Sequence, residues 1–198
     1  QMKVLITGGC GFIGSHAVDA FLADGWQVTN FDKLTYAGDL NNVARAAGDP
    51  DYRFVQGDLC EAALISEVVA GSDLVLNFAA ETHVDRSIVD PDSFVLTNCQ
   101  GTNVIMDTAR QLDVERFLHI STDEVYGSID EGSFSETDAL APRSPYSAAK
   151  AGSDLLALSY FVTYKLAVSV TRASNNYGPF HFPEKLIPLM IVNALAGK

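Results

Sequence analysis

The segment Lys3 to Phe21, KVLITGGCGFIGSHAVDAF, narrows the possible folds more than any other part of the chain. A short apolar run ends at Gly8, Gly11 and Gly14, spaced three apart, and passes directly into a helix-period pattern. A strand turning this tightly into a helix leaves backbone N–H groups and the helix N-terminus open to an anion such as a pyrophosphate. Asp32 closes the second strand pattern 18 residues beyond Gly14. An acid there can bind both hydroxyls of an adenosine ribose and repels a 2′-phosphate, which favours NAD over NADP. Lys33 beside it softens that preference. The same glycines could serve only a tight turn and a helix cap, so the reading rests on strand, helix and acid together.

The rest of the chain repeats the alternation. Strands are expected at 3–7, 27–31, 52–56, 73–78, 116–121 and 167–172, with helices at 12–24, 61–70, 92–112, 145–164 and 183–196. Runs such as LVLNF have almost no polar alternation, as suits strands covered on both faces of a parallel sheet. The expected fold is an α/β doubly wound parallel sheet, a Rossmann fold that binds NAD. The longest apolar runs, LVLNFAA and LIPLMIVNALA, are too short to span a membrane, and no signal-peptide pattern opens the chain. A soluble, cytoplasmic protein is expected. Cys10, Cys60 and Cys99 are far apart and outside any zinc spacing, so reduced thiols are expected and no metal site. A net charge of -12 disfavours nucleic acid and anionic membranes as partners.

Two further clusters carry chemistry. In SPYSAAK, Ser144 is a candidate N-cap and Pro145 a first helical residue, which places Tyr146 and Lys150 on one helix face a turn apart. An ammonium beside a phenol favours the phenolate, so Lys150 is expected to bring Tyr146 from a pKa of about 10 toward neutrality as a general base. In ISTDEVYGS, Asp123 and Glu124 follow a strand end. A continuing strand would point them to opposite faces, so the chain is expected to leave strand geometry at about Thr122.

The glycine pattern, a Ser/Thr at a strand end and Y-x-x-x-K resemble the extended short-chain dehydrogenase/reductase superfamily. Within it, STDEVYG, AAETHVDRS, YSAAKAGSD and SNNYGPFHFPEKLIP resemble the dTDP-glucose 4,6-dehydratase family along essentially the whole chain. The resemblance implies dehydration of a nucleotide-diphospho-glucose to the 4-keto-6-deoxy sugar. Glu124 is then the base at C5, Asp123 the acid at C6, and Thr122 a hydrogen-bond partner of the C4 oxygen; hydride returns to C6 and NAD is regenerated. Simple dehydrogenation or 4-epimerisation gives the two acids no necessary task, whereas elimination of water needs one proton removed and one donated.

The same resemblance assigns NAD contacts to Phe12 and Ile13 within the glycine turn, to Thr35 near Asp32, to Asp58 and Leu59 at the adenine, to Ala79 and Ala80 near the ribose and nicotinamide, and to Thr97. Substrate contacts fall on His83, read as a hydrogen-bonded loop residue, on Ser87, on Asn175 at the diphosphate, and on Glu184, Lys185 and Leu186 at the glucosyl and phosphate groups. Residues 1–198 are expected to be the NAD-binding domain, with 175–198 leading into a substrate-binding portion that the sequence does not contain. Retained NAD affinity with weak turnover is expected of a chain this short. Surplus apolar residues on helices 92–112 and 145–164, among them Val104, Ile105, Leu155, Leu158 and Phe161, imply a homodimer. The alternatives are a nucleotide-sugar 4-epimerase or decarboxylase of the same superfamily, and a shortened NAD-binding chain without catalysis.

Overall fold

A computed structural model describes residues 1–198. Six strands form one parallel sheet: β1 (Lys3–Thr7), β2 (Gln27–Asp32), β3 (Tyr52–Gln56), β4 (Leu74–Asn77), β5 (Arg116–Thr122) and β6 (Val168–Ala173). Their order, β3-β2-β1-β4-β5-β6, reverses direction between β1 and β4. That reversal opens a crevice at the carboxyl ends of the strands, where ligands of doubly wound sheets sit. The register is continuous across the switch, with Thr7 opposite both Phe31 and Asn77.

Seven helices flank the sheet: α1 (Phe12–Ala23), α2 (Ala62–Val69), α3 (Val84–Val89), α4 (Pro91–Phe94), α5 (Thr102–Gln111), α6 (Pro145–Tyr164) and α7 (Leu186–Leu195). One core lies under α2, α5 and α6, with Leu5, Phe31, Ile105, Met106 and Phe117 fully buried. The other lies on the α1 side around Val4, Ile6, Val18 and Val28. No helix is long and apolar enough to cross a membrane.

Two of the expected helices differ in detail from expectation. The helix expected at 92–112 is present as one unbroken run over 91–111 in three parts: α4, capped by Asp90, which accepts from the Ser93 amide, a π-helical stretch over Val95–Gly101, and α5; α3 is a separate short helix ahead of it. Pro91 fits the first position of α4, and the wider π turn turns Asn98 into the protein. The helix expected at 183–196 starts only at Leu186, because Pro183 and Glu184 form a turn closed by Lys185 N–H on the Phe182 carbonyl. The apolar surplus is also divided. Ile105 is wholly in the core and Val104 packs against it, whereas Leu155, Leu158 and Phe161 are exposed.

Candidate active site

A cleft of about 620 Å³ runs along the carboxyl ends of β1, β2, β4, β5 and β6. Its floor at one end is the glycine turn. Gly8 has φ +70, and a Cβ there would lie 2.7 Å from the Ala79 amide nitrogen; a Cβ on Gly14 would collide with the Gly8 carbonyl oxygen. Gly8 N–H is tied to Phe31 O, and Gly11 is the N-cap of α1 with no side chain over the first-turn amides. Bare backbone there can approach a diphosphate closely. Phe12 and Ile13 line the same wall.

Asp32 ends β2 at the cleft. Its carboxylate accepts from Cys10 N–H at 2.9 Å and from Leu34 N–H at 2.8 Å, so it fixes the glycine turn as well as facing the cleft. Burial raises its pKa, and those two amides oppose the rise. Each oxygen keeps a lone pair for a ribose hydroxyl. Lys33 also lines the cleft, but its ammonium is 2.7 Å from Asp58, so no free cation stands beside Asp32. Asp58 holds Lys33 and is not on the cleft wall; Thr35, Leu59, Ala79, Ala80 and Thr97 are. Cleft size, bare glycine wall and the aspartate together fit a dinucleotide such as NAD.

The middle of the cleft is built from β5 and α6. Strand β5 stops at Thr122, and a 3-10 turn runs over Asp123–Tyr126. Thr122 caps it, its Oγ1 accepting from Glu124 N–H at 3.2 Å and donating to Asp123 Oδ1 at 3.3 Å. Successive side chains in a 3-10 turn step by about 120° rather than 180°. Both acids therefore line the same cleft, as the sequence required of them. Burial and the neighbouring Asp123 raise the Glu124 pKa, and Lys185 opposes.

Helix α6 begins as expected. Ser144 and Ser147 form a reciprocal cap, and Pro145 occupies the first position. Tyr146 and Lys150 both line the cleft. Their ionisation differs from expectation. Burial and Glu124 push Tyr146 up to about 12, with the Thr122 hydroxyl acting in the opposite direction. Burial pulls Lys150 down to about 8. Its Nζ donates to Ile120 O at 2.6 Å, so the ammonium is spent on a strand carbonyl and two carboxylates dominate the field at the phenol. The protein groups alone thus hold Tyr146 as a phenol.

The third wall comes from the loops after β4 and β6. His83, at φ +88, Asn175, Glu184, Lys185 and Leu186 all line the cleft. Ser87 does not: it is wholly buried, and its hydroxyl donates to Val84 O inside α3, which corrects its assignment to substrate. A clasp that the sequence did not reveal joins three loops here. Arg86 lies 3.6 Å over the Tyr36 ring and donates to Glu184 Oε2 through Nε and Nη2, at 3.3 and 3.1 Å, while Tyr36 OH donates to Thr82 O. A second missed residue is Asn98, 1% exposed, which accepts from Glu81 N–H at 2.9 Å and donates to Glu81 O at 3.0 Å. It pins the loop that carries Ala79 and Ala80.

A dinucleotide crevice at a sheet reversal, with a Thr/Tyr/Lys group at its centre, defines an extended short-chain dehydrogenase/reductase. Residues 5–198 match the model of the GDP-mannose 4,6 dehydratase family, and the chain belongs to that family. It is 54% identical over 203 residues to a dTDP-glucose 4,6-dehydratase of an Actinoplanes species, covering 99% of this chain and 63% of that protein. The crystal structure of DesIV, a dTDP-glucose 4,6-dehydratase from Streptomyces venezuelae solved with NAD bound, superposes with a TM-score of 0.96 at 50% identity, covering 99% of this chain and 63% of that one. A UDP-N-acetylglucosamine 4-epimerase from Methanobrevibacter ruminantium superposes at 0.94 but is only 28% identical, covering 100% and 64%. The chain thus spans less than two thirds of the length of these relatives.

Proposed function

We propose that the protein takes part in NAD-dependent dehydration of a nucleotide-diphospho-glucose, dTDP-glucose, to the 4-keto-6-deoxy sugar. The observation that carries this reading is the placement of Asp123 and Glu124 by one 3-10 turn on the cleft that also holds Thr122, Tyr146 and Lys150. NAD, which the glycine turn, Asp32, Tyr146 and Lys150 would hold, would supply a positively charged ring that favours the Tyr146 phenolate and a centre that accepts, then returns, the hydride exchanged with the sugar. Tyr146, a phenol in the free protein, would have to ionise in the NAD complex, and as the phenolate it takes the C4 hydroxyl proton, while Thr122 hydrogen-bonds the same oxygen. Lys150 holds positive charge on the Tyr146 side of the cleft. Glu124, whose raised pKa makes it a stronger base, removes the C5 proton. Asp123 delivers a proton to the C6 hydroxyl, which leaves as water. Asn175, Lys185 and Leu186 are proposed to hold the diphosphate and sugar, with Glu184 oriented by Arg86.

The acidic pair supports dehydration over epimerisation, since a 4-epimerase has no proton to remove at C5. We also assign the exposed face with Leu155, Leu158 and Phe161 to a homodimer contact, and the enzyme, with its three free thiols, to the cytoplasm. Mass spectrometry of the product formed from dTDP-glucose in heavy water tests the reaction with the longest form of the protein. Loss of one water with one deuteron gained at C5 is expected. A product of unchanged mass would overturn dehydration in favour of epimerisation, and unchanged sugar with NAD bound would favour a non-catalytic chain.

A further inference from the structure

Behind the Tyr146 and Lys150 face of α6 lies a buried polar cluster that the proposed chemistry does not use. Asp154, one turn beyond Lys150, is wholly buried. Its Oδ2 accepts from Arg172 Nε of β6 at 2.8 Å, while its Oδ1 has no hydrogen-bond partner and lies 3.6 Å from His119 Nε2 of β5. Arg172 also donates from Nη1 to Tyr126 OH at 2.6 Å, beside the 3-10 turn of the two acids.

His119 does not neutralise the orphan oxygen. A network fixes its tautomer: Ser153 Oγ donates to Lys150 O at 2.7 Å, so it accepts from His119 Nε2 at 3.0 Å, and His119 Nδ1 accepts from Asn77 at 3.3 Å. Burial and the Lys150 charge hold this imidazole well below its ordinary pKa, so it is neutral. Arg172 is the one cation that pairs with Asp154. Lys150, 4% exposed, faces the Ile120 carbonyl and the Cys99 thiol, and burial works against its charge. Asp154 is the one acid in α6, four residues from Lys150 on the same helix and wholly buried, and its charge favours the ammonium. Residues four apart on a helix lie about 5–6 Å apart at Cβ, close enough for a buried charge to act strongly.

We propose that Asp154 is a positioning residue: it is the buried counter-charge that keeps Lys150 an ammonium, and Arg172 sets how much of that charge Lys150 feels. This deepens the proposed function, because it names what maintains the cation beside Tyr146. It also makes opposite predictions for the two partners. Removing the carboxylate leaves Arg172 as an unbalanced cation, which disfavours the Lys150 ammonium. Removing the guanidinium gives Lys150 the whole of the Asp154 charge, which favours it. A network that only packed α6 against the sheet would respond in the same direction to either loss.

The test is a 13C NMR titration of lysine Cε resonances in the free protein, with Lys150 identified by the signal absent from Lys150→Met. The native midpoint is expected near 8. Asp154→Asn is expected to lower it by at least about one pH unit, and Arg172→Gln to raise it by a similar amount. Unchanged midpoints, or shifts of one sign in both variants, would overturn the proposal. If Asp154→Asn does not fold, the sign of the Arg172→Gln shift alone decides. The titration needs no turnover, so it stands or falls separately from the dehydratase reading.

Discussion

Replacing Asn98 with alanine removes the two hydrogen bonds that join the π turn to the backbone of Glu81. Asn98 is 1% exposed and Glu81 half-buried, so water does not readily replace the lost amide. Each partly buried backbone group left unpaired costs about 1–3 kcal/mol, which sets the expected loss at about 2–6 kcal/mol for the pair. The loss is local as well as global, because the loop that carries Ala79 and Ala80 is held there. At about 1.4 kcal/mol per factor of ten, local opening should speed exchange of the Glu81 amide by roughly 30- to 20,000-fold. Asn98→Asp sharpens the argument. It keeps an acceptor for Glu81 N–H but turns a carboxylate oxygen toward Glu81 O, so it should cost at least as much as alanine. Urea denaturation and hydrogen exchange followed by NMR measure both quantities. If Asn98→Ala changed stability by less than about 0.5 kcal/mol and left Glu81 exchange unaltered, the clamp would be decorative and the reasoning wrong.

Glu124→Gln and Asp123→Asn should each abolish release of water while leaving NAD binding intact, since neither side chain lies at the glycine turn; loss of cofactor binding, read by fluorescence titration, would count against the assignment. Gly14→Ala should lose NAD affinity outright, because its Cβ collides with the Gly8 carbonyl, and unchanged affinity would refute the close backbone approach. His119 is held neutral in the fold, its pKa depressed below the ordinary 6.5. As pH falls below 6.5, the unfolded chain takes up a proton that the fold refuses, so stability declines by about 1.4 kcal/mol per pH unit until the folded pKa is reached. His181 is lowered too, so the slope should be read as the difference between the native protein and His119→Asn in urea melts from pH 7 to 5, and equal slopes would contradict it.

The sheet was legible because each strand is a short run bounded by turn residues, and every strand boundary inferred from sequence falls within one residue of the structure. Helix α6 was legible because Ser144 and Pro145 announce its start. The Asn98 clamp was hidden because a π turn has no hydrophobic period of its own, and VLTNCQG reads as ordinary helix. A weak signal existed for Asp154: an acid one turn from Lys150, on a helix face otherwise lined by small residues such as Ala151 and Ala157, asks for a buried cation. The sign of the Tyr146 shift was not legible, since spacing gives proximity to Lys150 but neither burial nor the carbonyl that engages its ammonium. Leu155, Leu158 and Phe161 could be told from Ile105 only once the sheet was in place.

The 3-10 turn after β5 carries a lesson for how such a site could be gained or lost. Asp123 and Glu124 reach one cleft through the angular step between neighbouring residues, and Gly127, at φ +90, ends the turn where a Cβ would strike the Ala141 carbonyl. A single residue inserted between Asp123 and Glu124 would preserve every functional side chain by composition yet rotate one acid away from the other. What matters is therefore a count of residues as much as a set of them: on the proposed function, an otherwise intact motif with altered spacing would keep the cofactor cleft but lose the paired acids that elimination requires.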